Sequence, residues 1–214
     1  GDWITFIDAD DKVTEGFVNL LRLNTNKETS LVILNYQEGI ILDKKDLIRK
    51  TLSTQNFLAA PFLKLYSTNF LKKNQILFDT KIIIGEDLLF NLSVILRSKK
   101  IEATNIKYYL YRQNNASATK TFNPRLIESD KNFYIHLTKL FNSQKHNQEL
   151  YNRLINCEKS KAILSLITRI SFVDSFNEAK IQYQNIDIFF YKPKYSYLTT
   201  TQKMILYLLL NKLY

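Results

Sequence analysis

Trp3-Ile4-Thr5-Phe6-Ile7-Asp8-Ala9-Asp10-Asp11 is a β-favouring, mostly apolar run that stops abruptly in three carboxylates. Like charges this close repel, and one of the acids takes up a proton more readily unless a cation lies between them. A hard divalent cation with oxygen ligands relieves that repulsion. The stretch predicts a buried strand with a metal site at its carboxyl end, where open α/β sheets usually bind their ligands.

Such a cluster has three possible uses. An EF-hand loop counted from Asp8 needs Gly at its sixth position and Glu at its twelfth, but Val13 and Asn19 stand there. A haloacid-dehalogenase-type phosphatase wants Thr or Val two residues past the second Asp, where this chain has Lys12. A divalent cation bridging a nucleotide diphosphate needs only two alternating carboxylates, because phosphate and water supply the remaining ligands. No Gly-rich phosphate loop is present.

A second acidic pair follows about 75 residues later. Ile82-Ile83-Ile84-Gly85 leads to Glu86-Asp87, and Leu88, Leu89, Leu92, Val94 and Ile95 continue as a mostly buried helix. The pair therefore sits at a helix N-terminus, where the dipole and free amides favour negative charge. Taken alone, acids in a first turn are also ordinary helix composition.

Between and after these landmarks the chain alternates. Thr14 to Leu21 reads as a short helix, Ser30 to Tyr36 as a buried strand and Asp43 to Leu52 as an exposed, Lys-rich helix. Phe62 to Tyr66 reads as a strand, and Ser67 or Thr68 then caps a helix ending near Asn74. Ile101 to Lys107 and Tyr108 to Arg112 read as strands, the latter entering the polar turn Gln113 to Ser117. From about Asn123 helical periodicity takes over, over 124–143, 147–172 and 174–186. A last helix starts at capping threonines near Thr199 and runs to Tyr214. Its Leu/Tyr face with flanking Lys203 and Lys212 suits either an interfacial helix or packing on the domain.

Composition narrows the function classes. The single cysteine, Cys157, excludes an internal disulfide and any multi-cysteine metal site, and favours a reducing compartment. His136 and His146 lack carboxylate or cysteine partners at ligand spacing, so ordinary surface or packing roles are expected. No apolar run reaches the ~18 to 20 residues that span a bilayer. The net charge of +10 is one-sided: residues 1–97 balance, whereas residues 98–214 carry 18 Lys/Arg against 8 Asp/Glu. That asymmetry points to an anionic partner such as a membrane surface, although Lys on solvated helices also accounts for it. The 14 Phe and 13 Tyr are scattered through core elements, not interleaved with Lys in one patch, which argues against nucleic acid.

The motifs together resemble family 2 glycosyltransferases with the GT-A fold. Gly1 to Asp11 resembles that family's Asp-x-Asp strand. Pro61 to Tyr66 with Asn69-Phe70-Leu71 and Ile76-Leu77-Phe78 resembles its Lys-Leu-Tyr segment. Gly85-Glu86-Asp87-Leu88-Leu89-Phe90 resembles its Gly-Glu-Asp motif, and Tyr109-Leu110-Tyr111-Arg112 with Ser117 its Tyr-x-Tyr-Arg…Ser close. The resemblance covers residues 1–118 and implies an α/β fold: the second half of a GT-A domain, followed by an α-helical region over 119–214. It further implies that the chain starts partway through a domain, without the nucleotide-binding half, and does not turn over alone.

The same resemblance implies roles. Asp8 lies near the donor ribose, and Asp10, with Asp8, meets Mg²⁺ or Mn²⁺ at the diphosphate; Asp11 supports them. Asp87 is the general base, with Glu86 as its fallback. Lys64 and Arg112 match motif positions and are expected on the donor side or in a structural role. The implied function is inverting transfer from a nucleotide-sugar donor to a saccharide or lipid-linked acceptor. Its expected setting is bacterial surface polysaccharide or glycolipid assembly, in the cytoplasm or at the inner face of the plasma membrane. The alternative is a non-catalytic remnant whose basic helical tail binds a partner or an anionic membrane.

Overall fold

The computed structural model describes residues 1–17, 28–36, 39–41, 43–53, 58–112, 123–144, 146–171, 173 and 175–212. The chain forms two compact units, residues 1–79 with 86–114, and residues 80–85 with 115–214. The first is α/β and the second is helical.

In the first unit, β3 (Thr29–Ile33) is buried along its whole length, as its apolar sequence requires of a central strand. Around it β1 (Trp3–Ile4), β5 (Lys64–Ser67), β6 (Lys100–Ala103) and β4 (Gly39–Ile40) complete a sheet in the order β1-β5-β3-β6-β4. β3 and β6 run parallel, and the other pairings are antiparallel. A separate two-stranded ribbon joins β2 (Lys12–Val13) to β7 (Tyr109–Leu110). Helices α1 (Lys44–Ser53) and α3 (Glu86–Arg97) pack on each other, and α3 also lies on β3. Between β5 and α3 comes α2 (Thr68–Lys73), capped by Ser67, whose Oγ accepts the Phe70 amide.

The register of β3 with β5 sets Leu31 opposite Tyr66 and Ile33 opposite Lys64. By strand alternation these four share one sheet face. On the other face Val32, Leu34, Leu63, Leu65 and Tyr108 form a closed cluster, with Trp3, Phe17 and Phe62 packed against it.

The opening strand is shorter and less central than its sequence predicts. Only Trp3 and Ile4 pair, as an edge strand on β5, and both are half-buried. From Thr5 the chain leaves the sheet, because Phe6 turns into an aromatic cluster. Its ring lies 5.7 Å from Tyr66, 5.3 Å from Phe78 and 6.0 Å from Phe90, all edge-on. The helix expected over 14–21 and the turn 113–117, including Ser117, fall largely outside the described residues.

The second unit is built on α5 (Gln148–Ile170), against which every other helix of the unit packs. These are α4 (Arg125–Asn142), α6 (Phe176–Gln184), α7 (Ile188–Tyr191), a 3-10 turn (Tyr195–Tyr197) and α8 (Thr200–Lys212). Leu137, Phe141, Ile163, Ile167, Ile170 and Leu206 form its interior. Thr199 and Gln202 make a reciprocal capping box at the start of α8. Leu206 is buried, so α8 packs along one side.

The stretch 80–85, read from sequence as part of the first domain, belongs to this second unit. Ile82 is buried, and the Ile83 amide donates to Ser129 Oγ at 2.7 Å. Gly85 adopts φ +96° with its Cα against the Phe133 ring, where an added Cβ would sit 3.0 Å from Cδ2. Both the backbone angle and the close approach require glycine.

Candidate active site

The site lies in the first unit and is assembled by Phe6 and Phe90. Phe6 precedes Asp8 by two residues on the departing end of the strand. Phe90 follows Asp87 by three residues on α3, one helical turn away. Their contact, reinforced by Phe78 stacked on Phe90 at 4.1 Å, brings the two acidic stretches into electrostatic reach of each other.

Asp87 is half-buried, and its carboxyl is pushed up to about 6. Burial is the main cause; the charges of Glu86 and Asp8 add to it, and Lys64 opposes. Asp8 is raised as well, first by partial desolvation, then by Asp11 and Asp10. Asp8 and Asp10 expose their carboxylates to solvent, and Glu86 flanks Asp87 in the first turn of α3.

Asp11 has a different environment. One of its oxygens takes a short hydrogen bond from the Tyr109 hydroxyl, and the other accepts the Arg112 amide at 2.7 Å. The Tyr109 hydroxyl in turn accepts the Asp8 amide at 3.2 Å. Tyr109 is held in place by Phe62, stacked 4.7 Å away. The Tyr-x-Tyr-Arg segment therefore clamps the acidic turn, and the Arg112 backbone, not its exposed side chain, makes the contact with Asp11.

Lys64, expected to face a donor or to serve the fold, is completely buried, with 0% of its surface accessible. Its ammonium donates to the carbonyls of Ala60 at 2.6 Å and Phe62 at 3.4 Å. Burial lowers its pKa to about 7, against the pull of Asp87. It stands beneath the site, not at its surface.

Sequence reasoning does not single out Asn91, which is fully buried on α3. Its amide nitrogen reaches Ala59 O at 2.8 Å, Asp87 O at 3.0 Å and Ala60 O at 3.1 Å, and its Oδ1 accepts the Tyr66 hydroxyl at 2.7 Å. The available signal was a lone amide inside Leu88-Leu89-Phe90-Asn91-Leu92, four residues after Asp87. Asn91, Lys64 and Tyr66 bind the loop 59–62 to the first turn of α3 and so fix the backbone that carries Asp87.

Among the described residues no three His, Cys, Asp or Glu side chains converge into a ready-made metal cage. What the acidic turn offers is two exposed carboxylates in mutual repulsion with Asp11. Such a set fits a hard cation shared with a diphosphate, and does not fit one held by protein alone.

Comparison with solved structures yields matches to S. aureus TarS. The crystal structure of TarS 1-349 superposes with a TM-score of 0.51 at 15% identity, covering 86% of this chain and 54% of that one. The chain shares the fold of TarS, a glycosyltransferase. TarS 1-349 with UDP-GlcNAc gives a TM-score of 0.49 at 16% identity, covering 85% of this chain and 60% of the other. TarS 1-349 with UDP gives 0.48 at 15%, covering 85% and 59%. The chain thus spans between half and two thirds of the length of these TarS 1-349 chains. No family model matches the sequence, and no curated protein matches it.

Proposed function

We propose that this chain carries the metal- and acceptor-facing part of an inverting glycosyltransferase of the family 2 type. It moves a sugar from a nucleotide-sugar donor to a hydroxyl of a saccharide or lipid-linked acceptor. The observation that carries the reading is the pair of acidic stretches joined by Phe6 and Phe90, with Asp87 poised near 6. The fold shared with TarS supports it.

Single displacement needs a base to take the acceptor proton as the hydroxyl attacks. Asp87 serves: its raised pKa makes it a stronger base than an ordinary carboxylate, yet it is mostly ionised at neutral pH. Asn91 holds the backbone at Asp87, so the carboxylate stays aimed. Glu86 keeps Asp87 proton-hungry by its own charge. On the leaving-group side Asp10 and Asp8 would hold Mg²⁺ or Mn²⁺ together with the donor diphosphate. That cation, when bound, supplies positive charge against the departing phosphate oxygens. Asp11 is occupied by Tyr109 and Arg112 and fixes the turn that presents Asp8 and Asp10. The setting is surface polysaccharide or glycolipid assembly at the inner face of a bacterial plasma membrane.

The 214-residue chain is expected not to turn over by itself, since no motif in it corresponds to the base-recognising half of the family. The test is transfer by a protein that joins this chain to such a half, with UDP-GlcNAc as the first donor tried and other nucleotide-sugars after it. Asp10→Ala is expected to abolish activity together with its metal dependence. Full activity in that variant, or undiminished activity under EDTA, overturns the metal role. Robust transfer by the isolated 214-residue chain overturns the inactivity.

A further inference from the structure

The second unit holds a cluster that the transfer reading does not use. Around the Phe190 ring stand two ammonium groups, Lys159 Nζ at 3.9 Å from the centroid and Lys131 Nζ at 5.2 Å. Lys159 also donates to Phe190 O at 3.4 Å. Lys192 is close enough that its charge, after burial, helps to hold Lys159 below the usual lysine range. The next basic residue, Lys194, is seated on α5 by its amide, which donates to Ser160 Oγ at 3.0 Å. The acids near this group are Asp187, paired with Lys131 at 2.9 Å, and Glu128, which lines the same cavity as Lys131 and Asp187. Beyond Asp187 the sequence to Tyr214 contains Lys192, Lys194, Lys203 and Lys212 and no Asp or Glu.

The same segment turns apolar side chains outward. Phe189 is 84% exposed and Tyr195 46% exposed, with the exposed Lys192 and Lys194 between them. Seven residues of chain place the backbone of these four residues within about 25 Å. On α8, Met204 and Tyr207 are exposed while Leu206 is buried. Lysines alone would suit any soluble polyanion. An outward Phe beside them adds apolar area that a purely hydrophilic polyanion does not contact. It suits a surface with phosphates at its face and hydrocarbon beneath.

We infer that the segment Phe189–Tyr195, with Lys131 and Lys159 behind it, is a docking surface for the anionic phospholipid headgroups of a bilayer. Lysines meet phosphate, and Phe189 enters the headgroup–acyl boundary. This deepens the membrane setting proposed above by naming the surface that makes the contact. Among the described residues no helix is long and apolar enough to cross a membrane, so the attachment is peripheral.

The test uses the 214-residue chain and flotation with vesicles of phosphatidylglycerol mixed into phosphatidylcholine, against phosphatidylcholine alone. Partition is expected only on the anionic vesicles. Lys192→Glu and Lys194→Glu are each expected to lower it about fivefold or more. Phe189→Ser is expected to lower it about tenfold at unchanged charge, with retention on heparin unchanged. All three side chains are exposed, so these variants keep the fold. Equal partition on both vesicle types, or no partition on either, overturns the inference. So does a Phe189→Ser variant that partitions like the parent, a result that assigns the lysines to a soluble polyanion. Sugar transfer is measured separately on the catalytically competent protein with a soluble acceptor. Loss of vesicle binding with transfer intact removes the docking surface alone, and loss of transfer with vesicle binding intact removes the catalytic reading alone.

Discussion

The hydroxyl of Tyr66 donates to Oδ1 of Asn91 across 2.7 Å in the interior of the first unit, joining β5 to α3 directly beneath Asp87. Pro61 O lies 3.2 Å from the same hydroxyl, and Asn91 returns its own amide protons to Ala59, Ala60 and Asp87 carbonyls. A buried network in which every member is satisfied is costly to interrupt, because each orphaned group keeps its desolvation penalty. Asn91→Leu leaves the Tyr66 hydroxyl only its longer contact with Pro61 O, strands the Ala59 carbonyl, and should destabilise by about 2 to 4 kcal/mol. Tyr66→Phe should cost about 1 to 2 kcal/mol. Urea unfolding of both variants and the double mutant checks this. The double mutant should lose less than the sum, since both changes interrupt one network.

Lys64 predicts an alkaline gain in stability. Its native pKa is lowered to about 7 from an ordinary 10.5. Between those values the unfolded chain binds more protons than the native one, so stability rises with pH across this window. The slope contributed by one proton is at most about 1.4 kcal/mol per pH unit. Above pH 10 the trend reverses, because Tyr66 and Tyr108 are raised in the folded state and lose stability as they ionise. Unfolding midpoints measured from pH 7 to 9.5 should climb in the parent and stay flatter in Lys64→Met. An identical pH dependence in the two proteins would show that Lys64 does not titrate as stated.

Much of the fold is written locally. Ser67 caps α2, the apolar run at 31–34 makes the central strand, and Thr199 with Gln202 opens α8, each through contacts within a few residues. Asp8, Asp10 and Asp87 are legible for the same reason, as acids at the ends of apolar elements. What escapes is set by partners distant in sequence. Phe6 leaves the strand because Phe78 and Phe90 receive it, about 70 to 85 residues on. Asp11 is diverted from the acidic cluster by Tyr109, and Lys64 is turned inward onto the carbonyls of Ala60 and Phe62, in a loop that Asn91 holds from 31 residues away. Residues 82–84 run in sequence straight into the Gly-Glu-Asp motif of the first domain, yet they belong to the helical unit, and the contact of the Ile83 amide with Ser129 reveals it. Charge and hydropathy along the chain do not encode which of two satisfied environments a side chain enters.

Gly85 predicts the cost of a single methyl group. At φ +96° an L-residue is strained by about 1 to 3 kcal/mol, and the added carbon would meet the Phe133 ring at 3.0 Å. Gly85→Ala should lower stability by about 2 to 4 kcal/mol. Trimming the ring in Gly85→Ala/Phe133→Leu relieves the contact but not the backbone angle. Relative to Phe133→Leu alone, the second alanine should therefore cost about 1 to 3 kcal/mol. Thermal unfolding of the four proteins separates the two contributions. No recovery on shortening residue 133 would place the whole cost in the backbone.

Asp87 carries the prediction on which the catalytic reading depends. Its carboxyl titrates near 6 instead of the ordinary 3.8, so it holds its proton more tightly folded than unfolded. The stability this lends is complete below about pH 4 and is lost as pH rises through 6. Activity follows the opposite sign, because a base works only when ionised: in the catalytically competent protein kcat/KM should rise with pH and level off above about 6.5. Asp87→Asn should lower turnover by about 10²-fold or more, with donor affinity largely kept, and should remove that acid limb. Because Asp8 is one of the charges raising Asp87, a divalent cation at Asp8 and Asp10 should draw the Asp87 titration downward. Carboxyl-carbon NMR on the 214-residue chain, with and without Mg²⁺ and a nucleotide diphosphate, reads that shift directly. An upward movement, or an acid limb that survives in Asp87→Asn, would take the base role away from this residue.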